Sequence, residues 1–177
     1  KELEIAMALW SDGELDPETN DAGGEPTECA RVNDANKNGL PKTTLKEEYV
    51  RVGEAPFDSM RKMMSTVHET KDHRFIQFTK GAPDEVLKRC TKALIGGKVI
   101  PMTEEIRNSV LKSNKEMADK ALRVLCGAKR EWEAMPSSTE PEFLEADLTY
   151  LGLSGMIDPV RPEVKDAIVE CREAGIR

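Results

Sequence analysis

The sequence predicts an α/β fold of the α+β type, in which strands pair antiparallel and helices lie beside them. Three neighbouring runs in the middle of the chain are rich in Val, Phe, Thr and Tyr, as strands are. Tight turns between adjacent runs favour antiparallel pairing. Two later stretches carry apolar residues at helical spacing. At 177 residues, the chain suits one compact domain, or one domain with a fragment of a second.

The N-terminal part of the chain is predicted to form two short helices with a loop between them. One face of the first helix collects the apolar side chains Leu3, Ala6, Met7 and Trp10. From Ser11 to Gly24 the sequence is polar, acidic and rich in helix breakers, which predicts a surface loop. A second helix over "EPTECARVNDANK" would carry Pro26 near its start, and "NGLPK" would end it.

The acidic loop is superficially like a calcium-binding loop. An EF-hand loop counted from Asp12 needs Gly at position 17 and Glu at position 23, where this chain has Pro17 and Gly23. The spacing therefore argues against a calcium site in this loop.

The middle of the chain is predicted to contribute three consecutive strands, a helix and a hairpin. The three strands are "EYVRVGEAPF", "KMMSTVHE" and "HRFIQFTK". In the third strand Ile76 and Phe78 share one face, and Lys80 has the same parity just past the expected strand end. A helix over "PDEVLKRC" follows, and "ALIGGKVI" reads as a hairpin that turns at Gly96 and Gly97.

The C-terminal half is predicted to alternate helices and strands. The longest helix runs from Thr103 to about Leu122, with two glutamates in its first turn, where they complement the helix dipole. Strands follow at "LRVLCGAKREW" and "LTYLGLSGMID", and the loop between them has room for a short turn of helix. The last run, "RPEVKDAIVECREAGIR", is an amphipathic helix that ends at Gly175.

The formal charge of -7 is concentrated near the N-terminus. Residues 2–30 hold nine acidic residues and no Lys or Arg, so the chain from Arg31 onward sums to +1. Binding to nucleic acid or to an anionic membrane surface is disfavoured, because both require a basic patch. No apolar run approaches the roughly 18 to 20 residues that a membrane-spanning helix needs. Since the chain opens on "KELEIAMALW" without Met, we expect it to be part of a longer protein.

The cysteines and histidines do not suggest a metal site. Four cysteines are far apart and form no CxxC pair, which indicates reduced thiols in a reducing compartment. Only His68 and His73 are present, and they are expected to be ordinary strand or turn residues. A histidine metal site or a histidine-based catalytic triad is therefore disfavoured.

Lys80 in "FTKGAPDEVLKRC" is the first candidate for ligand binding. A helix N-terminus can hold a phosphate, but Asp84 and Glu85 occupy the first turn of this helix and would repel one. Any ligand role therefore falls on the Lys80 side chain. The alternative is that Lys80 is a solvated lysine that closes a strand.

Two further places in the sequence could bind a nucleotide. In "APFDSMRKMMSTV", an aromatic side chain that could stack on a base lies close to two cations that could hold phosphates, namely Phe57, Arg61 and Lys62. The alternative places Phe57 in the core and the cations in solvent at a strand edge. Arg123 is the only charge in the apolar run "ALRVLCGA", and such an arginine usually faces a carboxylate or a phosphate. The common nucleotide and hydrolase motifs GxxxxGK[ST], GxGxxG, GxSxG and HExxH are absent from the sequence.

Five motifs occur in order along nearly the whole chain. They are "GEPTE" (24–28), "FDSMRKMMSTV" (57–67), "KGAPDEVLKRC" (80–90), "LRVL" (122–125) and "GMIDPVRPEVKDAI" (155–168). In this order and spacing they resemble the nucleotide-binding region of P-type cation-transporting ATPases. The wording of the third and fifth motifs is most similar to the calcium-transporting, type II branch, with sodium/potassium-type pumps close behind.

The resemblance implies a cytoplasmic domain of an integral membrane protein, built on a twisted antiparallel β-sheet flanked by helices. Such a domain binds ATP and carries it to a neighbouring phosphorylation domain. Carried over by motif, Phe57 would stack on adenine and Glu28 would lie beside the base or its ribose. Lys80 would lie deep in the same pocket, near the adenine.

The resemblance places three other residues towards the phosphates or in the pocket wall. Lys62 and Arg123 would face the phosphate end, and Leu125 would line the pocket. An aromatic for the base, an acid that accepts from an amino group, and separated cations form the complement that ATP requires. In the parent enzyme Mg²⁺ would accompany the nucleotide, and this chain is expected to supply neither catalytic residues nor metal ligands.

By the same resemblance, residues 1–155 form the ATP-binding domain and residues 156–177 a hinge with the first helix of the phosphorylation domain. The hinge would be "DPVR", Asp158 to Arg161, which matches "DPPR" in the family. Val160 replaces the second proline, and this departure would loosen the hinge slightly.

The family's DKTGT stretch, whose Asp becomes an aspartyl-phosphate, is absent from this sequence, as are its TGD and GDGxND segments. The chain is therefore expected to bind ATP without turnover. In the parent protein it would act with the phosphorylation, actuator and transmembrane domains. Two alternatives remain open, namely the same domain from a pump for another cation, and a non-enzymatic module that docks a protein partner.

Overall fold

The computed structural model describes residues 1–16, 19, 22–24, 26–157 and 162–176. The helices are α1 (Glu2–Leu9), α2 (Pro26–Lys37), α3 (Lys42–Glu48), α4 (Pro83–Arg89), α5 (Glu104–Ala118), α6 (Pro141–Leu144) and α7 (Pro162–Glu173). None of the helices in these ranges is long and apolar enough to cross a membrane.

Nine strands in the described ranges form two sheets. They are β1 (Glu14–Leu15), β2 (Ala22–Gly23), β3 (Tyr49–Asp58), β4 (Met63–Thr70), β5 (Phe75–Gly81), β6 (Cys90–Ile95), β7 (Lys98–Pro101), β8 (Arg123–Trp132) and β9 (Leu148–Met156). The large sheet has the order β3-β4-β5-β8-β9-β6-β7, and β1 pairs with β2 in a separate small sheet. In the large sheet every pairing is antiparallel except β6 with β9, which is parallel.

The predicted fold class is confirmed, with three local departures. The parallel β6–β9 pair arises because β9 inserts between β8 and β6, and strand order cannot be read from a local pattern. Helix α3 was not predicted, because its seven residues are mostly polar and contribute only one apolar side chain to the core, Leu45. The predicted loop from Ser11 to Gly24 contains β1 and β2, which are too short to show alternation.

The two faces of the large sheet are covered by different helices. One core lies between the sheet and α1, α2 and α3, and it contains Trp10 and Phe78. On the opposite face, Val86 of α4 packs near Met63 and Cys126. Helix α1 lies so close to β8 that a Cβ atom on Gly127 would lie 2.5 Å from Leu3 Cδ1 and 2.7 Å from the Trp10 ring. Only glycine allows this approach.

Helix α7 lies apart from these cores. From Glu163 to Ile176 its described side chains are all exposed, including Ile168 and Val169. The expected hinge, residues 158–161, lies outside the described residues, so the proposed domain boundary stays a prediction. The four cysteines are free thiols, two of them buried in the core between the sheet and α4.

His68 provides a pH-dependent contribution to stability. His68 lies on β4, is 1% exposed and packs against the ring of Phe78. Its Nε2 is 2.9 Å from Thr66 Oγ1. Burial, followed by the nearby positive charge of Arg51, lowers the pKa of His68 from 6.5 to about 4. A depressed pKa means that the folded protein resists protonation, so stability is lost as the pH falls from about 6.5 towards 4.

We therefore expect His68→Gln to reduce the acid sensitivity of folding. The wild-type free energy of unfolding should fall by up to about 3 kcal/mol more than that of the variant between pH 7 and pH 4. Urea unfolding at pH 7, 5.5 and 4 measures this difference. His73→Gln is the control, because its side chain is 87% exposed. Equal pH slopes for wild type and His68→Gln would contradict the expectation.

Candidate functional site

Four of the six predicted site residues lie at one end of the large sheet, on adjacent strands. At this end, Asp58 of β3 pairs with Met63 of β4, Met63 pairs with Gly81 of β5, and Gly81 pairs with Cys126 of β8. The four predicted residues each come one position earlier in the chain than one of these paired residues, and they are Phe57, Lys62, Lys80 and Leu125. Since neighbouring strands are about 4.8 Å apart, the four backbones lie within about 15 Å of one another.

Phe57 is available for contact with a ligand. It is the penultimate residue of β3, and 62% of its surface is exposed, so it is not part of the core. A large exposed aromatic at a strand end can present its ring to a planar group. The alternative considered from the sequence, a core Phe57, does not describe this structure.

Lys80 lies within β5 and is buried, which corrects two sequence-based expectations. It was expected just past the strand end, but β5 continues through Gly81. It is also 9% exposed, so the alternative of a solvated lysine is wrong. Its Nζ donates to Glu28 Oε1 at 2.8 Å and to the Trp10 carbonyl oxygen at 3.3 Å.

Glu28, in the first turn of α2, joins this lysine to a second cation. Its Oε1 also accepts from Arg31 Nη1 at 2.8 Å, and its Oε2 accepts from the backbone N–H of Asp12 at 3.1 Å. Arg31 is 4% exposed. The site therefore holds one carboxylate between two largely buried cations, and we call Glu28, Arg31 and Lys80 the charged cluster.

Burial and pairing act in opposite directions on the ionisation of the charged cluster. For Glu28, burial raises the pKa, but the hydrogen bond and charge of Lys80 and then the charge of Arg31 outweigh it, so the pKa is lowered. For Lys80, burial lowers the pKa and the Glu28 carboxylate opposes this effect without cancelling it. The net lowering of the Glu28 pKa therefore reflects its two cations, and the net lowering of the Lys80 pKa reflects burial.

Lys62 is held at the surface by the turn between β3 and β4. The backbone N–H of Lys62 donates to the Asp58 carbonyl oxygen at 2.7 Å, and the Lys62 carbonyl oxygen accepts from the N–H of Ala82 at 2.9 Å. The residue has a positive φ of 56°. A Cβ atom on Gly81 would lie 2.5 Å from the Lys62 carbonyl oxygen, so glycine is needed for this close approach.

The guanidinium of Arg61 is engaged in contacts within the fold and is not a candidate for ligand binding. Its guanidinium donates to both carboxylate oxygens of Glu145, at 2.6 and 2.8 Å, and to the Pro56 carbonyl oxygen at 2.7 Å. Glu145 is 1% exposed. Of the two cations considered beside Phe57, Lys62 therefore remains the candidate for a ligand contact.

Arg123 and Leu125 begin β8 on the face that carries Lys80. Lys80 pairs with Gly127, and alternation along the strand puts Leu125 and Arg123 on the same face as Gly127. Arg123 is exposed and lies four residues from Gly127, about 13 Å along the strand. Leu125 is half-buried between them. The structure thus places a cation well away from the charged cluster and an apolar side chain in between.

Three site residues were not identified from the sequence, namely Trp10, Asp12 and Arg31. Trp10 and Asp12 contribute backbone groups, which no side-chain motif reports. Arg31 lies three residues after Glu28 on one helix, a spacing that favours an ion pair and could have been noticed.

The arrangement combines an exposed aromatic, a paired carboxylate, an apolar wall and separated cations. These groups can hold a flat polar ring at one end and an anionic chain at the other. In the described part of the chain no cluster of three or more His, Cys, Asp or Glu side chains could hold a metal ion.

Comparisons with known proteins agree on one family. The sequence profile described as "P-type ATPase, cytoplasmic domain N" matches residues 1–163. Calcium-transporting ATPase 1 of Bacillus cereus is 43% identical over 171 residues, which cover 97% of this chain and 19% of that protein. The calcium-transporting ATPase of Bacillus subtilis is 41% identical over 154 residues, covering 87% of this chain and 17% of that protein.

A more distant relative is subunit alpha-3 of the sodium/potassium-transporting ATPase of Homo sapiens. It is 32% identical over 167 residues, which cover 89% of this chain and 16% of that protein. The chain thus spans about a fifth or less of the length of the curated relatives that it matches.

Proposed function

The chain belongs to the P-type ATPase cytoplasmic domain N family, and from this premise we propose that it binds ATP at the sheet end that carries Phe57 and Lys80. The observation that carries the proposal is the exposed ring of Phe57 near a buried, paired Lys80. An exposed aromatic alone would suit many partners. Together with the charged cluster it suits a base that has polar edges.

Adenine is the part of ATP that these residues suit best. Phe57 stacks on the ring, an interaction that contributes about 1 to 3 kcal/mol per base. The Glu28 carboxylate lies beside the base or its ribose, where it can accept from an amino or a hydroxyl group. Lys80 forms the inner wall of the pocket near the adenine, and its ion pair with Glu28 holds both side chains in place.

The phosphates are assigned to Lys62 and Arg123. Lys62 directly precedes β4, which lies between the strands of Phe57 and Lys80, and Arg123 begins β8 on the other side of β5. Both side chains are exposed, so they can reach a polyphosphate without first losing a buried position. Leu125 lines the pocket between Lys80 and Arg123. Mg²⁺ would enter with ATP, bound by its phosphates, and would supply charge neutralisation.

We further propose that binding is not followed by turnover in this chain. The sequence lacks the DKTGT stretch whose aspartate takes the phosphoryl group in the family. In the parent protein that aspartate would form an aspartyl-phosphate, and hydrolysis of this intermediate would drive ion movement. The role of ATP binding by this domain would then be to deliver the γ-phosphate to the phosphorylation domain of the parent protein.

Calcium is the proposed transported ion, because relatives at 41% and 43% identity are calcium-transporting ATPases. A pump for another cation is the second candidate, and the sodium/potassium-transporting relative supports it. The partners would be the phosphorylation, actuator and transmembrane domains of the parent chain. Within this chain, residues 1–155 are proposed as the ATP-binding domain and residues 156–177 as the hinge and the helix that leads away from it.

Titration with ATP tests the proposal. Amide chemical shifts and tryptophan fluorescence are recorded as ATP is raised to millimolar concentration, and we expect saturation with a Kd from about 1 μM to 1 mM. Trp10 is a local reporter, because its carbonyl group accepts from Lys80. Inorganic triphosphate is the control for base recognition, and it should bind more weakly than ATP.

Two results would overturn the proposal. Amide shifts that do not saturate would favour a protein-interaction module. Steady hydrolysis of ATP by the purified chain, abolished by Lys80→Ala, would contradict binding without turnover.

A further inference from the structure

The backbone from Trp10 to Gly13 lies between the charged cluster and helix α3. On the side of the cluster, the Trp10 carbonyl oxygen accepts from Lys80 Nζ at 3.3 Å. Also on this side, the Asp12 N–H donates to Glu28 Oε2 at 3.1 Å. This short segment therefore contacts both members of the central ion pair.

The other side of the segment is held by Lys42, the first residue of α3. Lys42 Nζ donates to the Ser11 carbonyl oxygen at 2.5 Å and to the Gly13 carbonyl oxygen at 2.6 Å. The backbone groups are divided between two partners: the Trp10 carbonyl oxygen and the Asp12 N–H bond to the charged cluster, and the Ser11 and Gly13 carbonyl oxygens bond to Lys42.

Lys42 is unusually enclosed for a lysine. It is 3% exposed, and Glu14 Oε1 lies 3.7 Å from its Nζ. Burial lowers the pKa of Lys42, and the charge of Glu14 counters this effect. An ammonium group is costly to bury unless it is hydrogen-bonded, and here two backbone carbonyls accept from it.

We propose that Lys42 is a positioning residue for the nucleotide site, because it fixes the Trp10–Gly13 backbone whose opposite side orients Glu28 and Lys80. The inference rests on the proposed ATP binding for its functional consequence. Its structural part, the placement of the Asp12 N–H against Glu28, holds without a nucleotide.

The Trp10–Gly13 segment also runs beside the turn of α2 that carries Glu28. A Cβ atom on Gly13 would lie 3.6 Å from the Glu28 carbonyl carbon and 3.6 Å from the Cys29 backbone nitrogen, which is ordinary contact distance. The direct link from the segment to the Glu28 side chain is the hydrogen bond from the Asp12 N–H. If Lys42 no longer held Gly13, the backbone could shift and the Glu28 carboxylate would shift with it.

The test uses Lys42→Met, which keeps the length of the side chain and removes its charge and donors. We expect ATP affinity to fall about tenfold, as expected for the loss of one hydrogen bond to a charged group. In the nucleotide-free protein the Asp12 amide proton should move upfield, because its bond to the Glu28 carboxylate is lengthened. Calorimetric titration with ATP and an amide correlation spectrum supply the two readouts.

Lys46→Met is the matched control. Lys46 lies one turn further along α3 and also contacts Glu14, but its side chain is 51% exposed and does not bond the Trp10–Gly13 backbone. Both readouts should stay at their wild-type values in this variant. If Lys42→Met fails to fold, Lys42→Gln retains a donor group, and its Asp12 amide shift and ATP affinity should lie between those of wild type and a Glu28→Gln variant.

A double variant separates positioning from general destabilisation. In a Glu28→Gln background, Lys42→Met should change ATP affinity by much less than about tenfold, because the carboxylate bound by the Asp12 N–H is already gone and only the contact between the Trp10 carbonyl and Lys80 remains to be disturbed. A purely structural role would lower affinity about equally in both backgrounds and would overturn the proposal. An unchanged Asp12 amide in folded Lys42→Met, or in Lys42→Gln, would also overturn it. If wild type does not bind ATP, the proposed function fails, while the amide shift still decides the role of Lys42.

Discussion

Replacing Phe57 by alanine should weaken ATP binding by about 5- to 150-fold and leave the fold intact. The factor corresponds to the roughly 1 to 3 kcal/mol that an aromatic–base stack contributes. The free energy of unfolding should change by no more than about 0.5 kcal/mol, because the ring is 62% exposed and contributes little to the core. Calorimetric titration with ATP and urea unfolding measure the two quantities.

Val50→Ala is the control for this substitution. Val50 lies at the opposite end of the same strand, β3, and has a similar exposure of 55%. It should leave ATP affinity unchanged. Phe57→Trp should retain most of the affinity, since an indole also stacks on a base. Wild-type affinity in Phe57→Ala would show that this ring does not contact the nucleotide.

Replacing Arg61 by methionine should destabilise the protein by about 3 to 5 kcal/mol at neutral pH. The change leaves the carboxylate of Glu145, which is 1% exposed, buried without its cation. Burial already raises the pKa of Glu145, and Arg61 is the main group that opposes this rise. Urea unfolding at pH 7 measures the loss.

The pH dependence of the Arg61→Met variant identifies the cause. A carboxyl group whose pKa is raised in the folded state contributes stability below its unfolded pKa of about 4.5, and that stability is lost as the pH rises. The cost of the substitution should therefore be smaller at pH 4.5 than at pH 7. Arg61→Met combined with Glu145→Gln should recover much of the lost stability, because no charge is then buried alone. A double variant no more stable than Arg61→Met would contradict this account.

Much of the fold follows from patterns that are local in the sequence. The three strands β3 to β5, the β6–β7 hairpin and helix α5 could be predicted, because each carries its own periodicity and its own turn residues. The order of strands in the sheet could not, because the position of β9 between β8 and β6 depends on pairing between distant segments. Helix α3 could not be predicted for another reason: its buried residues include Lys42, and a lysine in the sequence indicates a surface position.

The candidate site was predictable where it depends on side-chain type and hidden where it depends on contacts across the fold. Phe57 and Lys80 stood out because an aromatic and a lone lysine occupy strand ends. The role of Arg61 could not be foreseen, because its partner Glu145 is 84 residues away. The contacts of Lys42 could not be predicted for the same reason, since the backbone carbonyls that it binds are about 30 residues earlier in the chain.

The strand order also determines when the domain can assemble during synthesis. Strands β3, β4 and β5 form a local antiparallel set, and β6 with β7 form a separate hairpin, but these two groups are joined only through β8 and β9. A nascent chain that has emerged only to residue 120 therefore holds two separate pieces of sheet, in which the edges of β5 and β6 are still unpaired. Unpaired strand edges can pair with other chains until β8 and β9 are synthesised and pair with them. We expect ribosome-bound chains that end before β9 to be protease-sensitive, and chains that extend well past Met156 to be resistant.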